Sequence, residues 1–209
     1  MSADLQTIAL ASLLAWASGI RLYLVVFAAG VAGYLGYIDL PAGLRVLQHP
    51  WVIGAAGVLL LLEFLVDKVP GVDSFWDALH TFIRIPAGAL LAAGAAGEGV
   101  SALTIAAGLL GGTITAGTHF AKAGSRAIIN SSPEPLSNWA ASFTEDGMTL
   151  AGIWLAFQFP IVFLSALAVF VALVIWLLPK IWRGIAGMWR LLRTRSMIGR
   201  RIQGEEQRP

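Results

Sequence analysis

The sequence predicts an all-α polytopic membrane protein with about four to six membrane segments, some of them broken or re-entrant. Hydrophobic residues make up 57% of the 209 residues, whereas charged residues make up only 12%. Soluble domains carry about 25% charged residues. Two mostly apolar stretches, residues 5–37 and 148–178, exceed the roughly 20 residues that cross a bilayer, so each must tilt strongly or break.

Breaks in the apolar stretches define the predicted segments. The first stretch holds one charge, Arg21, and the small residues 17–19 just before it are a natural break. A second apolar segment, residues 51–66, ends before Pro70 and the glycine that follows it. Pro160 divides the last stretch near its middle.

The middle of the chain predicts irregular membrane structure. Residues 86–96 and 103–110 are short, Ala- and Gly-rich apolar pieces around Gly97-Glu98-Gly99. Each piece is too short to cross alone, so we expect a re-entrant hairpin or two kinked spans. Residues 131–145 contain two prolines and many polar residues, and we expect a polar loop there.

We predict a membrane domain over residues 1–179 and an internal repeat within it, with halves 8–70 and 105–178. Residues 56–64 align weakly with residues 151–159. Duplicated broken helices indicate a transporter-type site between the two halves, and the repeat could be inverted.

The C-terminal tail, residues 180–209, predicts a basic amphipathic segment. It holds eight Lys or Arg residues against two Glu, whereas residues 1–179 hold six basic and ten acidic residues. Tryptophan and aliphatic residues alternate with the arginines, which favours binding to anionic lipids. The positive-inside rule places this tail in the cytoplasm. The tail does not indicate nucleic-acid binding, because no stacking aromatics lie in a soluble basic domain.

The chain has no cysteine, which excludes disulfides, thiolate catalysis and Cys-ligated metal. The N-terminus lacks a basic region, so we expect the first helix to stay as a membrane anchor.

Two groups of charges lie next to apolar segments. Arg21 lies deep in the first stretch, where a centred arginine costs about 2.5–3.5 kcal/mol. We predict that it binds an anion or forms an ion pair, and the alternative is a side chain that reaches to the membrane surface. Glu63 and Asp67 are one helical turn apart, and we predict that they exchange protons or form ion pairs.

An acidic stripe follows. Asp73, Asp77, His80 and Arg84 recur at helical spacing and share one face. We expect this face to lie at the membrane surface toward water, as the rim or gate of a site. The alternative is that the two aspartates and the histidine bind a hard metal or serve as acid and base.

A basic stripe lies on a later helix. His119, Lys122 and Arg126 again share one face. We predict that they bind an anionic substrate such as a phosphate or a carboxylate. The alternative is a set of charges that flanks the membrane.

Four motifs carry a resemblance to a known family: residues 17–23, 63–84, 117–126 and 130–135. With these motifs the chain resembles the bacterial membrane-protein family catalogued as domain of unknown function 4126, up to about Leu178. The resemblance implies an integral membrane protein, and we expect it in the bacterial inner (cytoplasmic) membrane. It implies no activity.

Taken together, these observations predict a small transporter or lipid-handling protein for an anionic solute, with proton coupling through Glu63 or Asp67. Arg21, Lys122 and Arg126 would bind the anion. We expect no cofactor. Two alternatives stay open, a membrane-embedded metal-dependent enzyme and a non-catalytic scaffold whose tail recruits partners.

Overall fold

The computed structural model describes residues 3–130, 135–177 and 180, which form seven helices and no strand. The helices are α1 (Ala3–Tyr34), a 3-10 helix (Ala42–Gln48), α2 (Pro50–Val66), α3 (Val72–Ala96), α4 (Ala102–Ile129), α5 (Pro135–Gln158) and α6 (Pro160–Leu177). The chain forms two compact units, residues 1–168 and residues 169–209. The predicted all-α class is confirmed.

Three of the described helices are long and apolar enough to cross a membrane: Asp4–Tyr34, Val72–Ala96 and Pro160–Leu177. The 3-10 helix and α2 meet at 69° and add a fourth span if the bent pair is counted as one. The chain is therefore a polytopic membrane protein. The count meets the lower end of the predicted range when the bent pair is included.

Helix α1 is the centre of the first unit, because α2, α3, α4 and α5 all pack against it. The break that the sequence predicts in this helix occurs at Arg21, whose φ of −139° and ψ of 71° are not helical. Gly19 lies just before the break. A Cβ atom there would lie 1.7 Å from Thr118 Oγ1, so only glycine lets α4 approach α1 this closely.

Helices α3 and α4 are continuous, so the prediction of two short apolar pieces was wrong. Helix α3 runs through Pro86 without a break. Its buried residues keep a spacing of three or four on both sides of that proline, and the helix packs against α1 and α4. The connection between α3 and α4 lies at residues 97–101. There Gly99 has a φ of 70°, and Ser101 forms a capping box with Thr104 at the start of α4.

The predicted polar loop is also helical from residue 135 onward. Helix α5 starts at Pro135, where a proline costs nothing because the first helical N–H has no intrahelical partner. The predicted division before Pro160 is confirmed. In the second unit Lys180 Nζ lies 3.1 Å from the centre of the Trp176 ring. The rest of the predicted tail and the boundary at residue 179 lie outside the described residues, and the repeat stays a prediction.

Candidate functional site

Ten charged side chains from five helices and the turn after α2 meet inside the first unit. We call them the buried charge network. Its cations are Arg21, Arg84, Lys122 and Arg126, and its carboxylates are Glu63, Asp67, Asp73, Asp77, Glu145 and Asp146. Nine of these side chains are at most 9% exposed, and Asp146 is 23% exposed. The structure thus brings together the four Lys and Arg residues and all four carboxylates that the sequence singled out.

Lys122 lies at the centre of the network. Its Nζ is within 4 Å of carboxylate oxygens from Asp67 (3.2 Å), Glu145 (3.4 Å), Asp77 (3.6 Å) and Glu63 (3.8 Å). The same Nζ donates a hydrogen bond of 3.1 Å to the main-chain carbonyl of Ile20, next to the break in α1. The break therefore supplies a backbone acceptor for a buried cation.

Arg21 and Arg126 form ion pairs with Asp67, Glu145 and Asp146 on one side of the network. Arg21 forms an ion pair with Asp67 and places its Nε 2.8 Å from Asp146 Oδ1. It also donates to the hydroxyl of Ser142 at 2.9 Å. Arg126 donates from Nε and Nη2 to the two oxygens of Glu145, at 2.8 and 2.9 Å. Such a bidentate pair fixes both position and orientation.

Arg84 holds the other side. Its guanidinium donates to Glu63 and, at 2.9 Å, to Asp77 Oδ1. His119 Nδ1 faces Arg84 Nη1 at 3.4 Å and must accept, so its Nε2 carries the proton and donates to Thr81 Oγ1 at 2.7 Å. Burial and the Arg84 charge lower the pKa of His119 to about 4.

The acidic stripe is buried, so the expectation that it faces water was wrong. Asp73, Asp77, His80 and Arg84 are at most 5% exposed. Helical spacing shows which side chains share a face but does not show whether water or other charges lie opposite. Here the opposing groups are the cations and Glu63. The role of this stripe as a rim or gate stays a prediction.

The described residues do not have the geometry of the metal site that the sequence left open as an alternative. Across residues 3–130 and 135–177, no group of three or more His, Asp or Glu side chains could hold a metal ion. The proposed ligands are used elsewhere. Asp73 accepts from the main-chain N–H groups of Gly71 and Ser74, and His80 donates from Nδ1 to the Trp76 carbonyl while its Nε2 accepts from the Tyr23 hydroxyl.

The network is rich in carboxylates. Its four cations face six carboxylates, so it carries excess negative charge when all ten groups are ionised. Three buried carboxylate oxygens also have no hydrogen-bond partner in the described part of the chain: Glu63 Oε2, Asp67 Oδ1 and Asp77 Oδ2. Burying a polar atom without a hydrogen-bond partner is costly, so these oxygens are the least satisfied positions of the network.

Two carboxylates beyond α2 respond differently to this environment. Burial tends to raise the pKa of Asp67, but Lys122 and Arg21 outweigh it and hold that pKa below its usual range. Burial raises the pKa of Asp146, and this effect outweighs the opposing charges of Arg21 and Lys68. Asp146 is therefore the better proton acceptor of the two.

The sequence missed three charged residues of this region. Glu145 and Asp146 fall at the end of the expected polar loop, and Lys68 was not distinguished from its neighbours. The sequence offered one indication for the two acids, because they lie just before the apolar run that begins at Met148 and Thr149. Lys68 follows Asp67 directly, and that contiguity was its only signal.

The larger cavities of the described residues lie away from the network. Four described cavities have volumes of about 240 to 550 Å³, and none of them is lined by a network residue. Each network cation also contacts a carboxylate, so a solute anion would compete with an internal negative charge.

Comparison with known proteins identifies the family. The family model described as Domain of unknown function (DUF4126) matches residues 8–180, which include every residue of the network. No curated protein and no solved structure matches the chain. The resemblance that the motifs indicated is confirmed, and the chain belongs to the DUF4126 family.

Proposed function

We propose that the protein is a membrane carrier that moves a small anion together with a proton. The observation that carries this proposal is the buried charge network at the break in α1. Arg21 lies near the middle of the candidate span Asp4–Tyr34. Charged residues inside membrane segments are expensive and commonly mark the pathway of an ion or a proton.

Anion binding is coupled to proton binding because the network cations are paired with carboxylates. Each of the four network cations already contacts at least one carboxylate. An incoming anion binds one of them only when the internal carboxylate releases it. Protonation neutralises that carboxylate and weakens its hold, so anion binding and proton binding favour each other. The excess of carboxylates supports proton uptake further.

Asp146 is the carboxylate that we assign to proton exchange. It is the most exposed acid of the network, its pKa is raised by burial, and it contacts Arg21 Nε at 2.8 Å. Loss of its charge would free one edge of the Arg21 guanidinium. Glu63 and Asp67, the earlier candidates, are fully buried and are held by Arg84 and by Arg21 with Lys122, respectively.

We further propose that the carrier lies in the cytoplasmic membrane with its basic C-terminal tail in the cytoplasm against anionic lipids. The charge asymmetry between residues 1–179 and 180–209 supports this orientation. If the anion is a lipid headgroup, the same proposal describes a lipid-handling protein.

Proton movement in proteoliposomes tests the proposal. A dye reports the internal pH while an inward gradient of chloride, nitrate, sulfate or benzenesulfonate is imposed. These anions have no neutral acid form at neutral pH, so little crosses the bilayer unaided. We expect at least one of them to acidify the lumen faster than in protein-free liposomes.

Two variants sharpen the assay. Asp146→Asn should abolish anion-driven acidification, whereas Arg45→Met removes a charge from an exposed position outside the network and should leave it unchanged. The proposal fails if no anion acidifies the lumen above the protein-free rate. It also fails if Asp146→Asn acidifies at the wild-type rate.

A further inference from the structure

Lys68 differs from the cations of the buried charge network. It lies in the turn after α2, next to Asp67, and its Nζ donates a hydrogen bond of 3.0 Å to the Phe64 carbonyl. Within residues 3–130 and 135–177, no carboxylate oxygen lies within 4.0 Å of this Nζ. An anion can therefore meet Lys68 without displacing a carboxylate of the described residues from it.

Three aromatic rings surround this ammonium. Its Nζ lies 2.9 Å from the ring centre of Phe64, 5.0 Å from that of Phe143 and 5.8 Å from that of Trp139. The Phe143 ring makes edge contacts with the other two, at 6.2 and 6.4 Å between centres. Phe143 is 54% exposed and Trp139 is 47% exposed, so one side of this aromatic group is open.

The position of the rings links Lys68 to the network. Trp139, Phe143 and Asp146 recur at spacings of four and three residues on α5, so they share one face of that helix. Asp146 is the network carboxylate that is most exposed, and its negative charge opposes the burial that lowers the pKa of Lys68. A ligand at Lys68 therefore lies beside the acid that we assign to proton exchange.

We infer that Lys68, Phe64, Trp139 and Phe143 form a docking site for a monocarboxylate with an aromatic or similarly apolar body. The ammonium would pair with the carboxylate, and the body would pack on the exposed rings. One ammonium matches one negative charge. A dianionic phosphate would leave its second charge against aromatic surface, and a cationic ligand would be repelled by Lys68.

The inference rests on the proposed carrier function and names the class of anion that the carrier would bind. Its test measures binding and does not depend on transport. The probe is 4-fluorobenzoate, whose ¹⁹F resonance is followed as purified protein in phosphatidylcholine nanodiscs is added. Binding at equilibrium requires no flux. A positive result here with no acidification in proteoliposomes would separate docking from transport.

Variants and analogues identify the contacts. We expect Lys68→Met to bind 4-fluorobenzoate about tenfold more weakly or worse, as expected for loss of a charge-assisted contact, while Arg45→Met binds like the wild type. Phe143→Ala should also weaken binding, with Phe75→Ala, at a 64% exposed position, as its control. The neutral analogue 4-fluorobenzamide should not bind.

Three results would overturn the inference. The first is equal binding by Lys68→Met and the wild type, with both eluting as folded protein in size-exclusion chromatography. The second is equal binding of 4-fluorobenzamide, which would show simple partition into an apolar surface. The third is displacement of the probe by inorganic phosphate as effectively as by unlabelled benzoate, which would indicate a phosphate site such as one for lipid headgroups.

Discussion

Replacing Lys122 by methionine should destabilise the protein more than any loss of a single carboxylate. The ammonium lies within 4 Å of four carboxylates and also binds the Ile20 carbonyl. Its loss leaves three cations against six carboxylates. Removing one partner of a buried ion pair costs about 3–5 kcal/mol, and we expect Lys122→Met to reach that range.

The structure also predicts a partial rescue. Asp67 is the carboxylate closest to Lys122, at 3.2 Å. Adding Asp67→Asn to Lys122→Met removes one uncompensated negative charge, so the double variant should be more stable than the sum of the single changes by about 1–3 kcal/mol. Asp67→Asn alone should cost less than Lys122→Met, because it lowers the carboxylate excess.

Unfolding in mixed micelles with increasing fractions of dodecyl sulfate measures these free energies. Arg45→Met removes one exposed positive charge outside the network and should stay within about 0.5 kcal/mol of the wild type. If Lys122→Met stays within about 1 kcal/mol of the wild type, our account of the network as mutually compensated buried charge is refuted.

Three further predictions concern packing, capping and pH. Gly88→Ala should destabilise the protein strongly, because its Cβ would lie 2.0 Å from Thr115 Oγ1. Gly124→Ala is the control and should not destabilise it, because no atom lies within 4 Å of its Cβ. The same micelle titration measures both variants. Ser101→Ala removes the capping box of α4 and should cost about 1 kcal/mol by that titration. The raised pKa of Asp146 means that its proton is bound more tightly in the folded state, so its contribution to stability is full below pH 3.8 and is lost as the pH rises through the raised pKa. A pH series of unfolding free energies should therefore show a decline in the wild type that is absent in Asp146→Asn.

The sequence was sufficient to find most of the network, and the reason is physical. Arg21 and Glu63 lie within apolar segments, where no water is available, so their charges must meet opposite charges in the interior. Helical spacing then grouped Lys122 with Arg126 and Asp77 with Arg84. These expectations required only local patterns and the cost of burying charge.

The sequence was insufficient where the result depends on packing between helices. Residues 86–96 were expected to form a separate short piece, yet they continue α3, whose buried face runs on both sides of Pro86. Asp77 was expected to face water, because a polar stripe has the same spacing whether it lies at a surface or against another helix. Glu145 was expected in a polar loop that contains Pro133 and Pro135, although a proline also begins a helix.

Pairing between helices also changes how the cations are understood. From sequence, Arg21, Lys122 and Arg126 were expected to await an anion, but each contacts internal carboxylates in the structure. An anion that binds any of these three cations must therefore take the place of an internal carboxylate. If the network served stability alone, Asp146→Asn would change only the free energy of unfolding. In a carrier, the same change mimics the protonated acid, so anion binding should persist and lose its dependence on pH.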